Sequence, residues 1–451
     1  MIDKNIFSSS LARIKGNAVA AKILQNASWL VGDKVFTMVI GVFVMALVAR
    51  YLGPGNYGIY NYALTFVTLF TAISTLGLET ISVKSIVHQD EEEGTILYTS
   101  LVLRVIGGIL LTFLVSVTIQ FIAPNEPIVH LLVLIMSFTM IFKSFEVIEY
   151  WIQAYQKSKI SSLIRMGAYV FSALLKVAFV LLNGSLLHLA LIYMSDALII
   201  GIALVIAYFK YRNFHTKWKF KFQYAKNVLS QSWYLILSGL MVTLYMQIDK
   251  VMLGSMLPNK EELGIYSAAT QIASMWYFVP LAIITSFKPV IMKKKLETDE
   301  KYIIATQTLY SIVAWIGIIF GLFITIFSDL IVSILYGQEY SPAANIIVIS
   351  VWAGTFATLG SARSIWLLTE NLQKYTLFYT LVGLIINVGL NYLLIPIYGG
   401  FGAAFATLIA QIFANVFALA FFKRTRISSV MIIKAFSPKY IYNIRNNIRK
   451  L

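Results

Sequence analysis

The chain has 451 residues, of which 59% are hydrophobic and 12% are charged, and its formal net charge is +16. A soluble domain has about 25% charged residues, so this composition excludes a soluble fold and predicts a protein that spans a membrane. The chain has no cysteine, which excludes disulfide bonds and thiolate metal sites. We expect no metal ion, no cofactor and no catalytic group.

Apolar segments long enough to cross a membrane follow one another along the chain. A membrane-spanning helix needs about 20 mostly apolar residues, and we predict twelve such helices. They lie at residues 23–50, 57–78, 96–122, 128–154, 161–182, 187–209, 227–253, 264–291, 302–327, 343–368, 375–395 and 401–422. The predicted fold is an all-α polytopic membrane protein.

The predicted helices fall into two halves. Residues 1–22 form an N-terminal segment without the cleavage site of a signal peptide, and residues 23–209 form a first six-helix bundle. Residues 210–226 form a basic linker, and residues 227–422 form a second six-helix bundle. Residues 423–451 form a basic tail whose apolar runs are too short to cross a membrane.

The distribution of lysine and arginine predicts the orientation. Outside the helices, these residues lie in the terminal segments and in the loops after even-numbered helices, and Lys260 is the exception. Because positively charged loops stay in the cytoplasm, both termini are predicted to be cytoplasmic. The net charge therefore reflects topology, and no nucleic-acid partner is expected. The KWKFKFQYAK stretch of the linker fits either a segment lying on anionic lipid or an ordinary cytoplasmic loop.

One sequence pattern occurs in both halves. Residues 52–63 read LGPGNYGIYNYA, and residues 253–269 read LGSMLPNKEELGIYSAA. Each stretch follows one apolar span and begins another, which predicts parallel repeats around a central cavity, as in transporters. The first stretch also fits G-x-G-x-x-G, but it lies in a turn between apolar helices and not after a β-strand, so we reject a dinucleotide-binding site.

Charged residues within the predicted helices are the candidate functional groups. Each costs about 2.5–3.5 kcal/mol at mid-bilayer, so most must line a polar cavity, pair with each other or reach the membrane surface. A surplus of cations favours an anionic substrate such as a pyrophosphate. The candidate substrate-binding residues are Lys34, Arg104, Lys143, Lys176, Lys250 and Arg363. The candidates for binding a coupling proton or cation are Asp33, Glu146, Asp196 and Asp249.

Other residues within the spans have simpler interpretations. Arg50, Arg165 and Lys288 lie near predicted helix ends, where they are expected to extend to the membrane surface. The spacing of Lys143 and Glu146 fits a pair within one helix. Pro280 is the one proline well inside a predicted span, where it would be either a hinge for alternating access or a static bend.

Several motifs resemble those of a known family. They are NASW at residues 26–29, RYLGP at residues 50–54, YGIY at residues 57–60, DK at residues 249–250 with LG at residues 253–254, and GIYSAA at residues 264–269. With these motifs, the chain resembles the polysaccharide transporter family. Its members are the Wzx-type flippases of the multidrug/oligosaccharidyl-lipid/polysaccharide superfamily.

The resemblance implies a flippase in the bacterial cytoplasmic membrane. Its substrate would be an undecaprenyl-pyrophosphate-linked oligosaccharide for O-antigen (lipopolysaccharide), capsule or exopolysaccharide, moved to the outer leaflet by alternating access. A polymerase and a chain-length regulator of the same pathway would be its partners. In the related peptidoglycan-precursor flippases a basic–acidic pair on helix 1 serves the headgroup, and Asp33 with Lys34 matches that pair in reverse order. Those relatives have two further helices, which argues against a peptidoglycan precursor as substrate.

Two alternatives stay open. A cation-coupled multidrug exporter of the same superfamily would share the fold, although the basic excess within the spans disfavours it. A membrane polysaccharide polymerase or glycosyltransferase is disfavoured because the predicted outer loops are short and lack a clear acidic catalytic pair.

Overall fold

The computed structural model describes residues 18–212 and 216–442, and every regular element in these ranges is helical. The elements of the first half are α1 (Ala18–Ser74), α2 (Leu78–His88), α3 (Glu93–Ile122), α4 (Pro127–Ser137), α5 (Thr139–Phe142), the 3-10 helix Lys143–Val147, α6 (Ile148–Ala154), α7 (Ser158–Leu181) and α8 (Leu186–Tyr211). Those of the second half are α9 (Phe222–Met256), α10 (Glu261–Ser274), the 3-10 helix Met275–Tyr277, α11 (Phe278–Glu297), α12 (Asp299–Leu335), the 3-10 helix Gln338–Tyr340, α13 (Ala343–Thr369), α14 (Lys374–Ile412), the π-helix Phe413–Phe417, the 3-10 helix Ala418–Phe421, α15 (Arg426–Ala435) and α16 (Pro438–Tyr442).

Within the described ranges, ten helical stretches are long and apolar enough to cross a membrane. Two long helices, α1 and α14, each contain one glycine with non-helical backbone angles, Gly53 and Gly399 respectively. Large apolar side chains such as Phe121 are exposed, as expected of a surface that contacts acyl chains. The predicted all-α membrane fold is therefore confirmed. The count of twelve spans, their arrangement as two repeats and the cytoplasmic location of the termini stay predictions.

The chain forms two compact units. The first contains the described part of Met1–Val44 together with Val67–Leu240, and the second contains Met45–Phe66 together with the described part of Met241–Leu451. The first repeat motif thus groups with the second unit. The six-helix bundles predicted at residues 23–209 and 227–422 are defined by the repeat of membrane helices and not by contacts. They stay a prediction.

Aromatic packing joins the linker to the first unit. Trp151 and Tyr208 are buried and form an edge-to-face pair with ring centroids 5.3 Å apart. Trp218 of the linker stacks on Phe209 at 5.9 Å, and the backbone N–H of Lys221 donates a hydrogen bond to Thr99 Oγ1 at 3.1 Å. The described part of the linker is therefore packed against helices. Its proposed contact with anionic lipid stays a prediction.

The core of the second unit includes part of the predicted tail. Ile432 of α15 is fully buried in one apolar cluster with Tyr310, Trp366 and Leu419. The hydroxyl groups of Tyr310 and Ser428 are hydrogen-bonded at 2.9 Å. Although α15 is too short to span a membrane, it belongs to the packed fold.

The two copies of the repeat motif contact each other within the second unit. A Cβ atom added to Gly58 would lie 1.7 Å from the carbonyl oxygen of Lys260, and one added to Gly264 would lie 2.0 Å from that of Pro54.

The hydroxyl of Tyr340 donates to the carbonyl of Ala49 at 2.8 Å. Burial raises the pKa of Tyr340 above its ordinary value, so its phenol stays a donor even in mild alkali.

The structure places Pro280 differently from the sequence prediction. It lies in the first turn of α11, directly after the 3-10 helix Met275–Tyr277 that separates α10 from α11. A proline in the first turn of a helix removes no intrahelical hydrogen bond, so Pro280 does not bend α11. The interruption lies before Pro280, at the 3-10 helix. Pro289, which is near the end of the predicted span, lies inside α11 because that helix continues to Glu297. A hinge at Pro280 stays a prediction.

Candidate functional site

A cavity of about 780 Å³ lies among α1, α6, α7 and α8 of the first unit. Its volume is within the range of about 300–1,000 Å³ that ligand pockets usually have. The polar lining consists of charged, amide and hydroxyl side chains. These side chains are Asn26, Asp33, Lys34, Thr37, Glu149, Gln153, Gln156, Ser158, Ser161, Arg165, Tyr169 and Asp196. The cavity can therefore accept a ligand that is both charged and rich in hydroxyl groups.

Two carboxylates in this lining have buried oxygens that lack a partner. The Oδ1 atoms of Asp33 and Asp196 accept no hydrogen bond from the residues that the structure describes. Buried polar atoms are nearly always hydrogen-bonded to protein or to an ordered molecule. Both atoms belong to cavity-lining residues, so a polar ligand or water in the cavity would satisfy them.

An arginine–carboxylate cluster borders the cavity, and two of its members, Arg165 and Glu149, belong to the cavity lining. Both Nε and Nη2 of Arg165 contact Oε1 of Glu149, at 2.8 and 2.6 Å. Glu146 lies 3.9 Å from Arg165 and 3.8 Å from Arg104, so it joins the two arginines. Arg104 also donates to the hydroxyl of Tyr150 at 3.3 Å. The cluster thus ties α3, α6 and α7 together through charge.

Two sequence expectations about this cluster were wrong. Arg165 does not extend freely to the membrane surface, because Glu149 holds it at the cavity. Lys143 does not pair with Glu146, and it makes no ion pair with any described residue. The candidate list missed Glu149 and Arg165. The available signal was the position of Glu149 three residues after Glu146, which places two acids on one helical face within an apolar span.

Lys176 and Asp196 were predicted separately, and the structure brings them together. The Lys176 ammonium lies 3.7 Å from Oδ2 of Asp196 and donates to Ser172 Oγ at 2.9 Å. Ser172 donates in turn to the same carboxylate oxygen at 2.9 Å. Asp196 lines the cavity and Lys176 does not. Lys176 therefore influences the charge of the cavity through its contact with the Asp196 carboxylate.

Asp249, in the second unit, is surrounded by neutral hydrogen-bond donors. It accepts from Tyr266 and from the Asn391 amide, each at 2.7 Å, and also from Thr407. Asn387 extends the network by donating to Thr407 at 3.1 Å. Asp249 is 7% exposed and forms no ion pair with a described residue. The result is a buried carboxylate with oxygen-bearing neighbours and no fixed positive partner.

The remaining two candidates also lie in the second unit. Arg363 is 4% exposed, donates to the carbonyl of Ala414 at 3.0 Å and stacks over Tyr379 at 4.9 Å. Ala414 belongs to the π-helix, whose irregular backbone leaves such carbonyls free to accept. Lys250 is partly buried and makes no ion pair with a described residue, Asp249 included. The contacts of Arg363 are those of a group that stabilises the core.

The cavity, the buried charges and the apolar helical stretches define a multi-pass membrane protein with a polar cavity of ligand size. The sequence profile of the family described as "Polysaccharide biosynthesis protein" matches residues 23–295, more than half of the chain. The chain therefore belongs to this family, which confirms the resemblance inferred from its motifs. A second profile, MatE, matches residues 235–393.

Two curated proteins are similar in sequence. Capsular polysaccharide biosynthesis protein CapF of Staphylococcus aureus is 23% identical over 413 residues, which cover 89% of this chain and 100% of CapF. The probable low-salt glycan biosynthesis flippase Agl15 of Haloferax volcanii is 23% identical over 235 residues, which cover 51% of this chain and 48% of Agl15.

Two solved structures share the fold. The lipid II flippase MurJ in an inward closed conformation superimposes with a TM-score of 0.69 at 15% identity, covering 92% of this chain and 90% of MurJ. An inward-facing multidrug resistance MATE family transporter of the MOP superfamily gives a TM-score of 0.65 at 14% identity, covering 92% and 96%. At these identities the likeness shows the fold alone.

Proposed function

We propose that this protein is a flippase for a lipid-linked oligosaccharide. The substrate would be a repeat unit on undecaprenyl pyrophosphate, moved from the cytoplasmic to the outer leaflet of the bacterial cytoplasmic membrane for surface polysaccharide. The observation that carries the proposal is the cavity of about 780 Å³, which combines cations with many amide and hydroxyl groups. The family and the names of CapF and Agl15 support it. The protein would act as a transporter and not as an enzyme.

The cavity offers separate groups for the two polar parts of such a substrate. The guanidinium of Arg165 and the ammonium of Lys34 would bind the pyrophosphate, since guanidinium groups bind phosphate oxygens in pairs. The side chains of Asn26, Gln153 and Gln156 would hydrogen-bond sugar hydroxyls. Without substrate, Glu149 occupies Arg165, so an incoming pyrophosphate would compete with that carboxylate.

Asp249 is the best placed of the candidate coupling residues. A buried carboxylate is stabilised either by a proton or by a cation, and its described contacts supply neither. The Oδ1 atom of Asn391 is buried without a described partner. Together with the hydroxyl of Thr407, this oxygen would complete a set of ligands suited to a hard cation such as sodium. Binding of a proton or sodium there would supply the energy for transport.

Alternating access would require the outer ends of the helices to separate. The contact between the two repeat motifs, at Gly58 and Gly264, is a tightly packed contact that could close the outer side. It would break when the substrate leaves toward the outer leaflet. Pro280, next to the interruption between α10 and α11, would be one site of bending.

The sidedness of the lipid-linked oligosaccharide tests the proposal. In a strain that lacks this protein, the oligosaccharide should accumulate in the cytoplasmic leaflet. The wild type should restore its transfer, whereas Arg165→Ala should not, at equal protein level in the membrane. Lys293→Ala is the matched control, because Lys293 is an exposed lysine of α11. Normal transfer in the deletion strain would overturn the proposal.

One observation favours a second candidate, a cation-coupled multidrug exporter. The carboxylates of Asp33, Glu149 and Asp196 outnumber the cations Lys34 and Arg165 in the cavity lining, which would suit a cationic drug. The MatE match is consistent with this function. Increased drug susceptibility of the deletion strain, with normal oligosaccharide transfer, would establish the exporter in place of the flippase.

A further inference from the structure

Helix α15 buries two serines and exposes three large apolar side chains. Ser428 and Ser429 are buried, and Ser429 donates to the carbonyl of Val416 at 2.8 Å. Ile427, Val430 and Ile433 point outward and are 49%, 42% and 55% exposed. Met431 and Ile432 face inward with the serines, and in a helix on a water-exposed surface the outer positions would be polar. This arrangement fits a helix whose outer face contacts acyl chains.

A groove of about 360 Å³ lies between this helix and the start of α12. Ile303, Ile304, Val430 and Met431 form its apolar wall, and Lys434 and Tyr440 also belong to its lining. Lys434 is exposed and makes no ion pair with a described residue. Because α12 is one of the apolar stretches that can cross a membrane, the groove lies at the end of a span, where lipid headgroups are found.

The α15 side of the groove carries charge of one sign. Between residues 423 and 442 there is no acidic residue. The exposed basic residues of this stretch are Lys423, Arg424, Arg426, Lys434 and Lys439. Basic residues beside an apolar surface attract anionic lipid headgroups.

We infer that the groove between α12 and α15 binds an anionic phospholipid. An acyl chain lies along Ile303, Ile304 and Val430, and the headgroup phosphate binds Lys434 and Tyr440. The alternative occupants carry the wrong charge. Residues 443–451 add Arg445, Arg449 and Lys450 with no acid, and a second copy of the chain that packed through the same groove would bring an equally basic surface. This inference does not depend on which substrate the protein transports.

A fluorescent label at a single position tests the inference, because the chain has no cysteine of its own. Ile433→Cys is labelled in the full-length protein, which is reconstituted with phosphatidylcholine and increasing amounts of a lipid brominated on its acyl chain. We expect brominated phosphatidylglycerol to quench the label at about fivefold lower mole fraction than brominated phosphatidylcholine, since one basic residue accounts for about that factor. Adding Lys434→Gln should remove the preference.

A label at Leu322→Cys is the matched control. Leu322 is an exposed apolar residue farther along the same helix, α12, and both brominated lipids should quench it equally. Equal quenching by the two lipids at Ile433→Cys would overturn the inference. Quenching at Leu322→Cys with none at Ile433→Cys would do so as well, and it would assign the groove to a protein segment. Elution of each variant as the wild-type species in size-exclusion chromatography shows that it is folded.

Discussion

Gly58 and Gly264 make a reciprocal contact. Gly58 touches the carbonyl of Lys260 and Gly264 touches the carbonyl of Pro54, and each of these carbonyls precedes the other glycine by the same number of residues. The two glycines thus occupy equivalent positions of the LG…GIY repeat, and each makes the same contact with the other copy of the motif. Only glycine permits this approach, because any Cβ would overlap a backbone atom.

Alanine at either glycine should therefore destabilise the protein. The added methyl groups would lie 1.7 and 2.0 Å from backbone oxygens, so the two segments must separate. Overpacking of this kind costs about 1–3 kcal/mol. We expect Gly58→Ala and Gly264→Ala to lower the melting temperature in detergent and to reduce transport. Gly389→Ala is the control, because nothing lies within 4 Å of a Cβ there. Equal melting temperatures in all three variants would contradict the packing argument.

The hydroxyl of Tyr340 should contribute stability that is lost in alkali. It donates to the carbonyl of Ala49, and such a bond contributes about 0.5–1.5 kcal/mol. Burial raises the pKa of Tyr340 above its usual 10.0. The contribution is therefore complete below pH 10 and declines above it, as the unfolded phenol ionises.

Thermal unfolding at several pH values checks this expectation. Tyr340→Phe should lower the melting temperature at pH 7, and the difference from the wild type should shrink above pH 10. Tyr398→Phe removes an exposed hydroxyl and should have no effect at either pH. A difference that grows in alkali would refute the assignment of Tyr340 as a buried donor.

The sequence predicted the membrane fold because apolar composition and repeat motifs are local signals. It also identified Asp249 and Asp33 as unusual, since a charge within an apolar span is visible without a structure. It could not assign partners. Glu146 contacts arginines on α3 and α7 and not Lys143, which is its neighbour in sequence. Such pairings depend on how helices pack. The same is true of α15, whose two serines are buried although the sequence of this segment resembles a basic tail.

The pair of Arg165 and Glu149 separates a substrate-binding role from a structural one. Arg165→Ala should reduce transport about tenfold or more, since a hydrogen bond to a charged group contributes about 1.5–3 kcal/mol. Glu149→Gln keeps the shape but frees the guanidinium, so we expect tighter binding of undecaprenyl pyrophosphate by the purified protein. The double exchange Arg165→Glu with Glu149→Arg restores the ion pair in the reverse order. Full transport by that variant would mean that the pair only stabilises the fold.

Asp249 should determine the dependence of transport on an ion gradient. Asp249→Asn preserves the size of the side chain and removes the charge that would bind a proton or sodium. In proteoliposomes we expect wild-type transport to respond to an imposed gradient, and the Asp249→Asn protein to lose that response. Asp329→Asn, a change at an exposed acid of α12, should leave the response intact. Varying sodium at fixed pH, and then pH at fixed sodium, identifies the ion that Asp249 binds. An Asp249→Asn protein that responds to both gradients like the wild type would exclude this carboxylate from coupling.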